Sequence, residues 1–598
     1  MKKYFLLITL LVLFNCKESQ TEEPSRGVST IYNISFKNAV HHEANVQATF
    51  TNLKNDEVEF RMSRTSPGRY ALHEFIKNVY AVKVTDGQGN ILEATRPNPY
   101  AWKVNGHDGT IKVSYTLFAN RGDGTYAQID ETHAHLNIPA TFMYAPSLAN
   151  DEVEVTFNVR EDLNWKVATQ LKHKEENTYY AKNLQYFMDS PTEISNHRVR
   201  SFDVDGQTIN FVLHHNGTDA ELDSYFKKVK KVVLEQKAVF GELPKFDYDN
   251  YYFLACYIPN ASGDGMEHRN STIVTSTRSL ANGGMKRNIG TVSHEFFHAW
   301  NVERIRPQSL EPFNFEKANM SGELWFAEGF TSYYTNLILC RAGLMPQEDY
   351  VKGLSRTFNY VWNSPARQFF NTIEMSYQAP FVDAARSVDP VNRGNTFISY
   401  YTYGSALGLA LDLSLREKNL NLDEYMTLVW TKFGKEEKPY TISDLQNTLN
   451  EYAGDNFGDN FFNNYVHKSG MPEMKRLFEN VGVLLTQDDT QASFGASVRQ
   501  GKIFGYTSIG SSAYEAGLEN DDTIIQIGDV TLNDDLDFNT VITKFKPNDT
   551  VKIVYKRLGN TRETTLTFKK DASYSISIDE NASDNQKAAR EVWLRTKV

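Results

Sequence analysis

The sequence predicts a multidomain α+β protein, with an antiparallel β domain first, a mostly helical domain next and a smaller β-rich domain towards the C-terminus. Three observations lead there. The chain has 598 residues, and roughly 100–200 residues per domain divide such a length into several domains. Hydrophobic residues make up 40% and charged residues 23%, so ordinary cores can form and wholesale disorder is excluded. The apolar spacing alternates with a period of two towards both ends and becomes helical in between. Composition also narrows the function. The formal net charge is −11 with no block of basic residues, which speaks against a nucleic-acid surface. Three cysteines exclude a disulfide scaffold and a cysteine-rich zinc module.

The elements follow in order. Lys2 and Lys3 precede the apolar run 4–14, too short to span a bilayer comfortably and suited to an export signal over 1–15. Cys16 follows at once, and Leu13-Phe14-Asn15-Cys16 resembles a bacterial lipoprotein signal, in which the cysteine is lipidated. Residues 16–28 would then form a flexible tether. Over 29–180, short alternating runs at 31–36, 45–51, 58–62, 80–84, 110–118 and 153–159 read as strands. Asp86-Gly87-Gln88-Gly89-Asn90 is a hairpin-type turn between two of them. Within 181–480, the spacing of Tyr225, Val229, Val232 and Val233 marks a helix, and strands follow at 251–257 and 271–276. Helices then dominate, for example over 323–341 and 401–416. Residues 488–572 return to short strands and turns, with a short helix at 513–517. Residues 573–598 are polar and read as a loosely ordered tail with some helix near its end.

Chemistry concentrates in His294-Glu295-Phe296-Phe297-His298. On a helix, positions i and i+4 share a face, so both imidazoles can bind one ion. Glu295, rotated by about 100°, reaches a water beside that ion rather than the ion itself. A catalytic zinc needs a third protein ligand and one open position. Glu328 is the candidate, because it stands alone among the apolar side chains of 324–334 and a carboxylate is costly to bury without a partner. Glu303, Glu311, Glu316 and Glu323 sit among polar or turn residues and read as solvated charges. His133-Ala134-His135 could hold a metal on one strand face, but two ligands alone make a poor site. His214-His215 is weaker, since adjacent strand side chains point to opposite faces.

These residues resemble the glycyl aminopeptidase family of PDZ-containing zinc metallopeptidases, glutamate-type zincins related to the leucyl/alanyl aminopeptidase clan. The resemblance rests on HEFFHAWNVERIRP at 294–307, WFAEGFTSYY at 325–334, GDGMEHRNS at 263–271 and YYTYGSALGLALDLSLR at 400–416. It implies a thermolysin-like catalytic domain with zinc on His294, His298 and Glu328. It also implies a PDZ-like domain at 488–572, in which Asp521 stands where glycine is usual. In the broader clan a Gly-x-Met-Glu-Asn segment lines the cleft, and its glutamate holds the substrate's α-ammonium group. Gly265, Met266 and Glu267 match it, with His268 in place of the asparagine. A Tyr-x-Lys-Gly segment supplies the oxyanion donor, and Tyr401-Thr402-Tyr403-Gly404 matches with Tyr403 replacing the lysine. Tyr401 is therefore the candidate. Tyr400 and Tyr403 compete with it, and all three also read as packing aromatics. Glu267 has its own plain alternative, a loop carboxylate at a glycine turn.

The expected function is a zinc aminopeptidase of the cell envelope, exported and lipid-anchored. The family resemblance implies small first residues such as Gly or Ala. Glu295 would be the general base and later the general acid. Expected partners are peptide substrates and a peptide or protein at the PDZ-like domain, with no nucleic acid and no membrane contact beyond the lipid. Two alternatives stay open, a zinc endopeptidase with PDZ-guided substrate capture and a non-catalytic envelope scaffold. An intact Glu295 weighs against the scaffold, because a structural site has no use for a base beside its ligands. Whether Cys256 and Cys340 pair is also open.

Overall fold

From Thr30 to Phe36 every second side chain of the strand Val28–Asn38 is buried, among them Tyr32, Ile34 and Phe36, the pattern of a sheet covered on one face. The computed structural model describes residues 27–382, 389, 391–532 and 537–598. The export signal, Cys16 and nearly all of the tether lie outside them. Seven strands form the first sheet, in the order 172–175, 178–181, 152–158, 28–38, 43–50, 111–118 and 79–86. All pairs are antiparallel except Val28–Asn38 with Glu152–Asn158, which run parallel. Sheets of three and four strands share its core. The four-stranded one takes in Thr192–Ser195, so this unit runs past 180 to 195.

The second unit is built on five strands in the order 198–204, 207–215, 250–257, 271–276 and 264–268. The inner three are parallel, and Asp264–His268 closes the edge antiparallel to Ser271–Ser276. The helix Asp219–Phe240 makes the crossover. A Thr218–Glu221 capping box starts it, and Gly241 at φ 83° ends it. The helix Ile289–Phe297 packs on the edge strand and its neighbour Ser271–Ser276; Phe296 meets Tyr251 of the inner strand Asn250–Tyr257 at 5.0 Å, and just beyond the helix Trp300 stacks on Phe240 of the crossover helix at 4.8 Å.

Two further helices, Gly329–Arg341 and Tyr400–Arg416, cross backbone to backbone. A Cβ on Gly404 would lie 1.9 Å from the Trp325 carbonyl oxygen, and one on Gly329 would lie 2.4 Å from the Gly404 Cα. Among the described residues no helix is long and apolar enough to cross a membrane.

The third unit has its own core around Phe494, Ile503, Ile524, Ile553 and Leu566. Asp521 sits at φ 71°, which explains why glycine is usual there and why an aspartate, tolerant of that region, can replace it. The C-terminal segment has the helix expected near its end but is docked rather than loosely ordered. Tyr574–Ile578 pairs with Val483–Gln487, and the helix Asp584–Leu594 buries Trp593 and Leu594 completely or nearly so. One aromatic and one leucine at its end suffice to dock a chain that is otherwise polar. Beyond it, Lys597 pairs with Asp423 at 2.5 Å, opposite Arg341 at 3.0 Å.

Two predictions follow from this packing. Gly404→Ala gains about 1 kcal/mol of helix propensity but drives a methyl into backbone atoms, an overpacking cost of about 3 kcal/mol; a net loss in the urea unfolding midpoint is expected. Burial alone would raise the Asp423 carboxyl, but Arg341 and Lys597 outweigh it and bring it down to about 2. A lowered carboxylate contributes stability above its unfolded value, and that contribution is lost as pH falls towards 2. Melting temperatures measured from about pH 4 downwards should fall less steeply in Asp423→Asn than in the native chain.

Candidate metal centre and active site

The helix Ile289–Phe297 ends at His298, which sets His294 and His298 one turn apart with ring centroids 4.8 Å from each other. Glu328 lies between the short helix Leu324–Ala327 and Gly329–Arg341. Its Oε2 is 3.6 Å from His294 Nε2 and 3.3 Å from His298 Nε2. One donor atom of each of the three lies within 4.8 Å of the others.

Hydrogen-bond direction decides whether these residues suit a metal. The Asn301 carbonyl can only accept, so His298 Nδ1, 2.6 Å away, carries the proton. Thr335 Oγ1 gives its own proton to the Thr331 carbonyl and therefore accepts from His294 Nδ1 at 3.0 Å. Both Nε2 lone pairs are thus left for the side facing Glu328 Oε2, which is buried with no hydrogen-bond partner. Three lone-pair donors converging on one point fit a divalent metal with two histidine ligands and one carboxylate. Without a metal, the surrounding carboxylates place the same demand for positive charge on His298 itself. Burial would lower it, but Glu328, Glu267 and Glu295 outweigh burial and raise it to about 10.

The carboxylate partners surround this point. Glu295 is 5% exposed and its Oε2 has no hydrogen-bond partner. Burial pushes it well above the usual carboxylate range, against His298 and with Glu267 and Glu328 adding. Gly265 makes room for it, since a Cβ there would sit 2.0 Å from Glu295 Oε1. Glu267 places a carboxylate oxygen within 4.8 Å of donor atoms on Glu295 and His298, and burial raises it too. Met266 departs from expectation. It is fully buried beneath Gly68 and Gly124, so its side chain supports the strand instead of facing the cleft. His268, on the opposite strand face, bonds Asp189 Oδ1 at 2.8 Å, which gives the departure from asparagine a structural role.

Of the three tyrosines, Tyr400 and Tyr403 are fully buried, while Tyr401 is partly exposed with its ring 6.1 Å from that of His294. A cavity lined by Gly68, Arg69, Tyr70, Asp264 and Tyr401 opens beside it. Of the acidic residues read as solvated, Glu323 is buried and accepts from Ser309 and Ser321. Cys256 and Cys340 are both buried and free.

Sequence reasoning missed Tyr70, whose hydroxyl donates to Glu328 Oε1 at 2.6 Å. It comes from the first domain, and no local pattern marks it. Arg69 beside it pairs with Asp264 and donates to Thr125 Oγ1 at 2.6 Å, clamping the edge strand that carries Glu267. Asn301 was legible only as part of the motif; its Nδ2 donates to the Phe326 and Ala327 carbonyls at 3.1 Å and so joins the two ligand segments.

Comparison with known proteins agrees with this layout. The chain matches the Peptidase M61 N-terminal domain over 31–196, M61 glycyl aminopeptidase over 287–407 and a PDZ domain over 506–568. An aminopeptidase N family protein from Idiomarina loihiensis superimposes with a TM-score of 0.82 at 24% identity, covering 94% of this chain and 100% of that one; this likeness is one of fold. An M1 zinc metallopeptidase from Deinococcus radiodurans gives a TM-score of 0.41 at 12% identity, over 75% and 96% of the two chains. Serine protease Do-like HtrA proteins from two strains of Lactococcus lactis are 26% and 25% identical over 118 and 131 residues. Those matches cover 20% and 22% of this chain and span only 29% of each relative's length. With the N-terminal match over 31–196 and the catalytic match over 287–407 in one chain, and the paired histidines and glutamate gathered in one buried centre, this chain is similar over those segments to the M61 glycyl aminopeptidases and is a metallopeptidase.

Proposed function

We propose that the protein is a zinc aminopeptidase that removes small first residues such as Gly or Ala from peptides in the cell envelope. Export would use the signal over 1–15, and lipid on Cys16 would anchor the chain. The observation that carries the exopeptidase reading is Glu267, a buried carboxylate within 4.8 Å of Glu295 and His298 donor atoms. A fixed anion at that distance suits the α-ammonium group of a free N-terminus, which an internal peptide segment lacks.

His294, His298 and Glu328 would hold the zinc. When bound, that ion would supply Lewis-acid polarisation of the scissile carbonyl and lower the pKa of a water in the cleft. The remaining chemistry belongs to the chain. Glu295 takes the proton of the attacking water and delivers it to the leaving amine, and its raised affinity for a proton suits both halves of that task. Tyr401 would donate a hydrogen bond from its hydroxyl to the oxyanion that develops on the carbonyl. Glu267 fixes the first residue so that only one peptide bond comes into register. Tyr70 orients Glu328 as a ligand. The PDZ-like domain would take an extended peptide or protein partner by strand addition. The net charge of −11 supports a protein without nucleic-acid partners.

Paired peptides beginning with Gly, Ala or Leu, free or N-acetylated, test the reading. Only the free peptides should be cleaved, and Glu295→Gln should lower kcat/KM by about 10²–10⁴-fold while the metal stays bound. Equal cleavage of acetylated peptides would remove Glu267 from its role and make this an endopeptidase. Tyr70→Phe should weaken metal binding by about 10–100-fold, measured as the chelator concentration that half-depletes the protein, with an unchanged circular-dichroism spectrum.

A further inference from the structure

Away from the cleft, the four-stranded sheet of the first domain meets the sheet of the second, and the contact gathers another set of metal donors. His133 and His135 share one face of the strand His133–Leu136, and Glu193 is the ladder partner of His135. His214 and Cys256 are register partners on neighbouring parallel strands of the catalytic unit. His133, Glu193, Cys256 and His214 are 0%, 1%, 2% and 7% exposed. One donor atom each of His133, His214 and Cys256 lies within 4.8 Å of the other two. Cys256 Sγ is 3.4 Å from His214 Nδ1, and Glu193 Oε1 is 3.7 Å from the same nitrogen.

Two atoms in this cluster have no hydrogen-bond partner, His133 Nε2 and Glu193 Oε1. Buried polar atoms are rarely left so, because each forfeits the hydrogen bond it had with water. The rest of the cluster is oriented. His133 Nδ1 is 2.9 Å from Thr132 Oγ1 and 3.4 Å from an Asp130 oxygen. His135 holds the other Glu193 oxygen at 3.2 Å and meets the Asp123 carbonyl at 3.0 Å. Ligands whose far atoms are held by such partners are the ordinary surroundings of a bound metal.

We propose that His133, His214, Cys256 and Glu193 bind a divalent cation of the zinc class in a structural site that ties the first domain to the catalytic domain. Sulfur, imidazole and carboxylate donors together suit zinc, and four protein donors leave no open position for catalysis. On binding, the Cys256 thiol releases its proton to solvent, and thiolate plus carboxylate neutralise the dication. This inference is independent of the roles assigned in the cleft.

The test is the metal content of the full chain, together with reconstitution by cobalt(II). The catalytic donor set contains no sulfur, so a thiolate-to-cobalt charge-transfer absorption reports the second site alone. The native chain should hold about two equivalents of zinc and show that absorption with cobalt. Cys256→Ser should lose the absorption and one equivalent, while Glu328→Gln should lower the metal content and keep the absorption. A native chain with one equivalent and no thiolate absorption overturns the proposal, whether or not the variants fold. Persistence of the absorption in Cys256→Ser overturns it as well.

Discussion

Three carboxylates crowd two imidazoles in the interior, and the rest of the site is arranged around that excess of negative charge. Glu267, Glu295 and Glu328 are each no more than 5% exposed, so water cannot screen their mutual repulsion. The cluster has a stable solution only if positive charge enters it. A proton on His298 is one answer, and a divalent ion between the histidines and Glu328 is the stronger one. The same burial that makes the cluster costly also separates the roles. Glu328 is drawn down by the histidines, whereas Glu295 and Glu267 are pushed up. The burial and the neighbouring charges thus separate the carboxylates, one held ionised between the histidines and the others with a raised affinity for a proton.

Holding these groups in place requires both domains. Tyr70 and Arg69 of the β domain reach Glu328 and the edge strand of the catalytic sheet. Gly68, at φ 79°, lets the strand carrying Met266 and Glu267 approach closely. The β domain is thus a wall of the catalytic site. The histidine and cysteine cluster joins the same two domains at a different point of contact, so a metal there would fix the relative position on which the cleft depends.

The helical half obeys a different constraint. Gly329 follows the candidate ligand Glu328 directly, and Gly404 follows Tyr401 by three residues. Their contact sets the distance between the metal face and the aromatic face of the cleft. A side chain at either glycine would open that distance by moving backbone, not by turning a rotamer. The C-terminal segment adds to the same half, with Trp593 against the helix Gly329–Arg341 through the Arg341 guanidinium, which donates to its carbonyl at 3.1 Å.

The sequence by itself determined the period of each segment and the chemistry of its motifs. Alternation marked the strands of the first domain. The i, i+4 histidines and the isolated Glu328 were readable because a helix repeat and the cost of burying a charge are local facts. Tyr401 could be named but not separated from Tyr400 and Tyr403, since choosing among them needs to know which ring faces His294. Alternation alone sets Met266 and Glu267 on opposite strand faces, and only the packing shows that the Met266 side chain is buried against Gly68. Tyr70 was invisible, being 258 residues from its partner. His133 and His135 read as an incomplete pair and His214-His215 as residues on opposite strand faces, and only the docking of two sheets brings His133 and Glu193 to His214 and Cys256. Contacts between residues distant in the chain depend on how whole sheets and helices pack, and no spacing within a segment encodes that.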